Sequence, residues 1–196
     1  MNRRIGRAEP SGARLAQATD SELFADIAGG DLGALGELFD RHHASVLAFA
    51  QRLLTNPADA PDLVQETFLT ASRAAASFEA GSAAKPFLLG VAAQLARRRR
   101  RSFARLRSLL EAVARAPVAP RSTPEDQLAE SQELALLDAA LGRLSHEHRE
   151  VVVMVHLGGL SGVEAAKALG IPAGTVWRRL HEARAELRSI VKRRTT

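Results

Sequence analysis

The stretch Leu160-Ser-Gly-Val-Glu-Ala-Ala-Lys-Ala-Leu-Gly170-Ile-Pro-Ala-Gly-Thr-Val-Trp-Arg-Arg-Leu180-His-Glu-Ala-Arg184 decides the fold class of this 196-residue chain. Ser161-x-x-Glu164 is a capping box, so a short helix opens there and runs through Ala165, Ala166 and Leu169. Gly170 suits the left-handed position that ends such a helix. A longer basic helix follows from about Ala173 to Val191. At 100° per residue, Val176, Leu180, Ala183 and Leu187 gather on one side. Ala166 is small where two helices cross closely, and Leu169 and Ile171 supply the inner face. A capped helix, a glycine turn and a basic helix make a helix-turn-helix. Arg178 and His181 point away from the apolar cluster, with Trp177 and Glu182 flanking them. Thr175 stands in the first turn, where helix N-termini meet phosphates. The second helix therefore suits a DNA major groove, with Arg178 as base reader. A helical hairpin with a solvated arginine face is the plainer alternative.

Upstream, the chain continues to read as helix. Thr19-x-x-Glu22 is a second capping box, ahead of Leu23, Phe24 and Ile27. Gly29-Gly30 breaks that helix and Asp31 caps the next. Leu35, Leu38, Phe39, Val46, Phe49, Ala50, Leu53 and Leu54 then recur at helical spacing until Asn56-Pro57. A third helix carries Leu63, Val64, Thr67, Phe68 and Ala71. Gly81 and Ser82 form a break, and Pro86 opens a fourth helix with Phe87, Leu88, Val91 and Leu95. The segment from Ala116 to Pro124 holds three prolines in nine residues and reads as a linker, after which Thr123 caps a further helix. Leu134, Leu137, Leu141 and Leu144 form that helix's stripe. Ser145 caps another, which carries Val151, Val152 and Val155 and ends at Gly158-Gly159. The valine run also fits a strand, but no partner strand is evident.

Composition narrows the function. There is no cysteine, which excludes disulfides, thiolate metal sites and a cysteine nucleophile. The longest apolar run, Val151 to Val155, is five residues, too short for a membrane span, and no apolar segment follows the N-terminal arginines. A reduced, cytoplasmic compartment is the simplest expectation. Of 27 basic residues 24 are arginine, a side chain that forks onto phosphates and base edges, although a GC-rich genome also favours it. Charge alternates along the chain: residues 20–80 carry −7, 81–121 carry +9, 122–150 carry −5 and 151–196 carry +5. Two acidic-then-basic units suggest two modules, each meeting a basic partner with one part and a polyanion with the other.

Two clusters lie outside the helix-turn-helix. Asp59, Asp62 and Glu66, with Gln65 beside them, occupy adjacent turns of the third helix, away from the Leu63, Val64 and Phe68 stripe. A plain solvated face is one reading; catalysis or a metal is another, but no phosphate loop or nucleophile accompanies them. Arg97, Arg98, Arg99, Arg100 and Arg101 wrap right round their helix. They read as phosphate binding with weak sequence preference, or as a basic tail. The histidines lack metal spacing. Neither a catalytic residue, a metal site nor a cofactor is expected.

The motifs as a set resemble the extracytoplasmic-function (ECF) group of bacterial RNA polymerase sigma factors. Leu38-Phe-Asp-Arg-His-His43 and Asn56-Pro-Ala-Asp59-Ala-Pro-Asp62-Leu-Val-Gln65-Glu66-Thr-Phe68 resemble that family's first domain. Leu141-Gly-Arg-Leu-Ser145, Arg149-Glu-Val-Val152 and the helix-turn-helix motif resemble its last, so the likeness spans about residues 20–190. It implies an all-α fold: two small helical domains joined by a flexible linker, the C-terminal one a helix-turn-helix. The expected organisation is a disordered extension over 1–18, a region-2-like domain over 19–108, a linker over 109–123 and a region-4-like domain over 124–194. No further domain is expected beyond the last helix.

The resemblance also implies roles and partners. Asp59, Asp62, Leu63, Gln65 and Glu66 would bind core RNA polymerase at its beta-prime clamp. Phe87, Gln94 and Arg97 to Arg101 would serve promoter DNA on the −10 side. Ser161, Pro172, Thr175, Trp177, Arg178, Arg179 and His181 would serve the −35 element. A cognate anti-sigma factor is an expected partner; membrane insertion is not. The chain departs from the family pattern at Phe87 (usually Trp), Gln94 (Asn), Arg98 (an acid), Gly162-Val163 (an aromatic–acid pair), Trp177 (Lys) and Glu182 (Arg). Two other classes stay open on residues alone: a helix-turn-helix repressor or activator, and a metal-dependent hydrolase built on His42, His43 and Glu66.

Overall fold

Helices begin where the sequence supplies side-chain caps. The computed structural model describes the backbone of residues 11–113 and 130–192, and the side chains of 13–104 and 137–189. Helix α1 spans Ser11–Gln17 and α2 spans Asp20–Ala28, the latter opened by the complete Thr19/Glu22 capping box. Asp31 accepts from the Gly33 and Ala34 amides and starts α3, Leu32–Leu53. A 3₁₀ turn at Pro57–Asp59 leads into α4, Ala60–Arg73. Then comes α5, Ala84–Val113, roughly 45 Å long at 1.5 Å per residue. The second module holds α6 (Glu130–Arg143), α7 (His146–Val152), α8 (Gly162–Leu169) and α9 (Ala173–Lys192). No strand occurs among the described residues; the valine run extends α7 as a π-helical turn over Val153–Leu157.

Two boundaries differ from expectation. Helix α1 lies inside the segment expected to be disordered. Arg41 donates to the carbonyls of Leu15 (2.9 Å), Ala16 (2.9 Å) and Ala18 (2.6 Å), satisfying the end of α1 while Leu15 is buried. At the other side, α5 continues to Val113, into the expected linker; the rest of that linker and the Thr123 cap lie outside the described residues.

The first module packs α2, α3 and α4 around α5. Leu23, Leu38, Val46, Leu53, Leu63, Leu88 and Leu89 are wholly or almost wholly enclosed. Phe24 stacks on Phe78 with ring centroids 4.0 Å apart, and Phe87 meets both edge-on at 5.4 Å. In the second module Arg149 is buried and donates to the Leu141 (2.8 Å) and Gly142 (2.7 Å) carbonyls, closing the end of α6. Helix α9 packs on α7 and α8, and Gly170 takes its expected left-handed turn at φ 64°.

The two modules share one continuous apolar cluster. Helix α5 crosses α8 so closely that a Cβ on Gly90 would lie 2.7 Å from the Ala168 carbonyl oxygen. Gly90 does not have a positive φ, so its need for glycine is a need for space. Gly90→Ala is therefore expected to lower stability by about 1–3 kcal/mol through overpacking. Gly36→Ala, on α3 with nothing within 4 Å of its Cβ, should instead raise it by about 0.5–1 kcal/mol. Paired thermal melts of the two variants check the contrast; equal effects would mean the modules do not meet at Gly90.

Candidate nucleic-acid and polymerase interface

The arginine ring on α5 is divided among several directions. Arg97 reaches into the second module and grips Glu150 with both ends of its fork, at 2.8 and 2.6 Å; its third nitrogen is 3.4 Å from the Leu169 carbonyl. Glu150 is fully buried. Burial pushes its carboxyl pKa up, and the Arg97 hydrogen bond and charge oppose that. Arg99 turns back within the first module and binds Glu66 at 2.6 and 3.1 Å. Arg98, Arg100 and Arg101 are exposed. Five successive arginines do wrap the helix, but two of them meet carboxylates of the chain itself.

The acidic helix is equally divided. Asp59, Asp62 and Gln65 are exposed; Asp59 accepts from the Asn56 amide at 3.2 Å. Glu66 is half-buried under Arg99. Leu63, expected to touch a partner directly, is completely enclosed, because it shares the inner stripe of α4 with Ala60 and Val64. It positions the helix rather than presenting a surface. Phe87, expected on the −10 side, is held in the three-phenylalanine cluster, while Gln94 is exposed. Both line a groove of about 480 Å³ where Gly90 and Val91 face Lys167 and Ala168 of α8. Lys167 pairs with Glu79 across it.

In the helix-turn-helix, Ser161 caps α8 with its hydroxyl on the Glu164 amide. That box also holds the Glu164 carboxyl below its usual range, through the Ser161 hydroxyl and then the Ser161 amide. Pro172 is exposed and Thr175 half-buried, both at the start of α9. Val176, Leu180 and Ala183 are buried, as the wheel requires. Arg178 and His181 point to solvent, and Arg178 donates to Glu182 at 3.0 Å. Arg179 differs: it turns onto Glu147 of α7 at 2.5 Å, with only 14% of its side chain exposed. Trp177 is 55% exposed. The His148 ring nitrogens bridge Glu182 (3.1 Å) and Glu186 (2.8 Å), fastening α7 to α9.

Sequence reasoning missed the junction between modules. A cavity of about 180 Å³ there is lined by Arg97, Arg100, Arg101, His146, Glu147 and Arg179. His146 stands in it among arginines. Burial, then the charges of Arg100, Arg149 and Arg97, lower its pKa to about 4, with Glu147 opposing. Among the described residues no group of three or more His, Asp or Glu forms a metal cluster. His42 binds Asp20 at 3.0 Å and His43 stacks on Phe39, so neither is directed to Glu66.

This geometry defines a two-module, all-helical protein whose second module is a helix-turn-helix. Residues 38–116 match the Sigma-70 region 2 family and residues 134–187 match Sigma-70, region 4. The ECF RNA polymerase sigma factor SigM of Mycobacterium tuberculosis is 34% identical over 172 residues, covering 87% of this chain and 84% of that protein. The RNA polymerase sigma factor CnrH of Cupriavidus metallidurans is 31% identical over 180 residues, 88% of this chain and 94% of that one. The solved structure of CnrH with the cytosolic domain of CnrY superimposes with a TM-score of 0.62 at 27% identity, over 88% of this chain and 97% of that chain. RpoE of Bartonella quintana, solved with the anti-sigma factor NepR, gives 0.66 at 27% identity, over 80% and 96%. The chain belongs to the ECF RNA polymerase sigma factors, the proteins that direct RNA polymerase to promoters for transcription initiation.

Neutral His146 gives the fold a pH dependence whose sign follows from its shift. The unfolded chain protonates this imidazole near pH 6.5, the folded chain only near 4. Between those values the unfolded state binds the extra proton, so stability falls as pH drops from 6.5 toward 4. His146→Gln removes this contribution. The melting temperature of the variant should therefore decline less steeply than wild type below pH 6.5. Parallel curves would show that His146 is solvated and not held at the junction.

Proposed function

We propose that the exposed acids of α4 dock core RNA polymerase at its beta-prime clamp, that α5 serves the −10 side and that α9 reads the −35 element. The observation that carries this reading is α9 itself. It sets Arg178 outward on a helix whose other side is a buried stripe, next to a capped α8 of the right length and turn. The first module is assigned residues 19–108 and the second 124–194, with α1 added to the first. The chain acts without chemistry or cofactor of its own, in the cytoplasm where RNA polymerase works. No described helix is long and apolar enough to cross a membrane. A cognate anti-sigma factor is a further partner, supported by CnrH and RpoE having been captured with CnrY and NepR.

Asp59, Asp62 and Gln65 form the polymerase contact, with Leu63 holding the helix and Glu66 divided between partner and Arg99. Asp59→Arg combined with Asp62→Arg should abolish co-purification with core enzyme, while the fold persists with only a small drop in melting temperature, since both exposed acids sit at the N-terminal end of α4. Wild-type recovery with core would remove α4 from the interface.

On the −35 side, Arg178 is the base reader; Ser161, Pro172, Thr175 and His181 flank the groove, and Arg179 positions α9 through Glu147. Arg178→Ala should cost roughly 1–3 kcal/mol and relax preference at about one base pair. Arg179→Ala should weaken all promoters alike. Transcription by reconstituted holoenzyme from a −35 substitution library reads both. A changed base preference in the Arg179 variant alone would exchange the two roles.

A further inference from the structure

Trp177 is the only tryptophan of the chain, and more than half of it is exposed on the outward side of α9. Its indole is nevertheless not loose. A Cβ placed on Gly162 would sit 2.5 Å from indole Cζ2 and 2.9 Å from Cε2 and Cη2. The six-membered ring therefore rests directly on the bare backbone at the first residue of α8. Gly162 is buried by that contact and does not have a positive φ, so no backbone conformation demands glycine there. The indole does. The next residue, Val163, is 67% exposed, so the start of α8 offers apolar surface beside an otherwise charged helix. One position along α9, Arg178 is tied to Glu182 and Glu182 to His148. The acid that would repel DNA is thus engaged by a base on each side.

We infer that Trp177, seated on Gly162, is a second specificity-determining residue and reads the C5-methyl group of a thymine adjacent to the base pair taken by Arg178. The inference rests on the assignment of α9 to the −35 element. An indole already fixed by its neighbour gives up little side-chain freedom on binding. Apart from its one N–H the indole is apolar, and in the major groove the thymine methyl is the apolar feature that separates T from the other bases. Gly162 acts as a positioning residue: any side chain there pushes the ring off its seat.

The test uses full-length protein assembled with core enzyme. Transcription from a promoter library randomised across the −35 element identifies the preferred bases. Deoxyuridine is then placed at each preferred thymine, which removes the methyl group and nothing else. Loss of one buried methyl contact predicts about a fourfold drop at one thymine for wild type. Trp177→Ala should show no preference between T and U there while keeping the base preference set by Arg178. Gly162→Ala should shift the emission of the single tryptophan in the free full-length protein and, in holoenzyme, lose the same methyl sensitivity. If Gly162→Ala does not fold, Trp177→Ala and the deoxyuridine series decide alone. Equal activity on T and U at every position, or a Trp177→Ala loss that is uniform across all sequences, overturns the inference and leaves only a backbone contact. A wild-type holoenzyme indifferent to every −35 base would instead overturn the assignment of α9 on which the inference stands.

Discussion

The ion pair between Arg97 and Glu150 is the constraint around which the two modules are arranged. A carboxylate with no solvent exposure is stable only where a partner and its hydrogen bonds replace water. Glu150 finds that partner 53 residues away, on the other module, and receives both arms of its guanidinium. Separation of the modules would take from Glu150 the guanidinium that opposes the upward push of burial on its pKa. The pair is also directional. It ties α5 to α7, while Gly90 seated on Ala168 and Arg97 at the Leu169 carbonyl bring α8 close against α5.

This arrangement bears on how the charges of a promoter-directed protein are held before DNA arrives. Of the α5 arginines, Arg97 and Arg99 meet Glu150 and Glu66. Arg179 and Arg178 on α9 meet Glu147 and Glu182. Arg97 and Arg99 each commit two nitrogens of the fork to a carboxylate, whereas Arg178 uses only Nη1 and Arg179 only Nη2. Exposed pairs such as Arg178–Glu182 are exchanged easily, since surface ion pairs contribute little. Arg97 is different: releasing it exposes a buried acid. The arginines therefore fall into those with donors still open to solvent and one, Arg97, that is bound into a buried carboxylate.

The helix-turn-helix was legible in the sequence because its signals are local. A capping box, a left-handed glycine and a four-residue apolar period all sit within 25 residues, and each follows from backbone geometry alone. The first module was legible as helices, and Asp59, Asp62 and Gln65 emerge on the exposed side as their spacing required. Leu63 was expected at an interface through the family resemblance, yet its place on the Ala60/Val64 stripe already marked it as core. Helix α1 was hidden because a single leucine gives no period; it depends on Arg41 reaching back 26 positions to the Leu15 carbonyl. Likewise Glu150 sits in an acidic run that reads as surface. Only the crossing of α5 on α8 turns it into interior, and no period in the sequence encodes a contact across a proline-rich segment.

Glycine carries two distinct messages in this chain, and the difference separates fold from specificity. At Gly170 the backbone is left-handed, so the residue belongs to the turn. At Gly90 and Gly162 φ is not positive, and glycine is present because another group occupies the space of a side chain: the Ala168 backbone in one case, the Trp177 ring in the other. The first keeps two modules in contact. The second sets the attitude of an exposed aromatic ring on the helix that faces DNA. A side chain at Gly162 would meet Trp177 and not the buried stripe of Val176, Leu180 and Ala183 that packs α9, whereas one at Gly90 would meet only the α8 backbone. The residues that pack this module as a helix-turn-helix and the residues that it leaves exposed on α9 are thus different sets, and Gly162 touches the second.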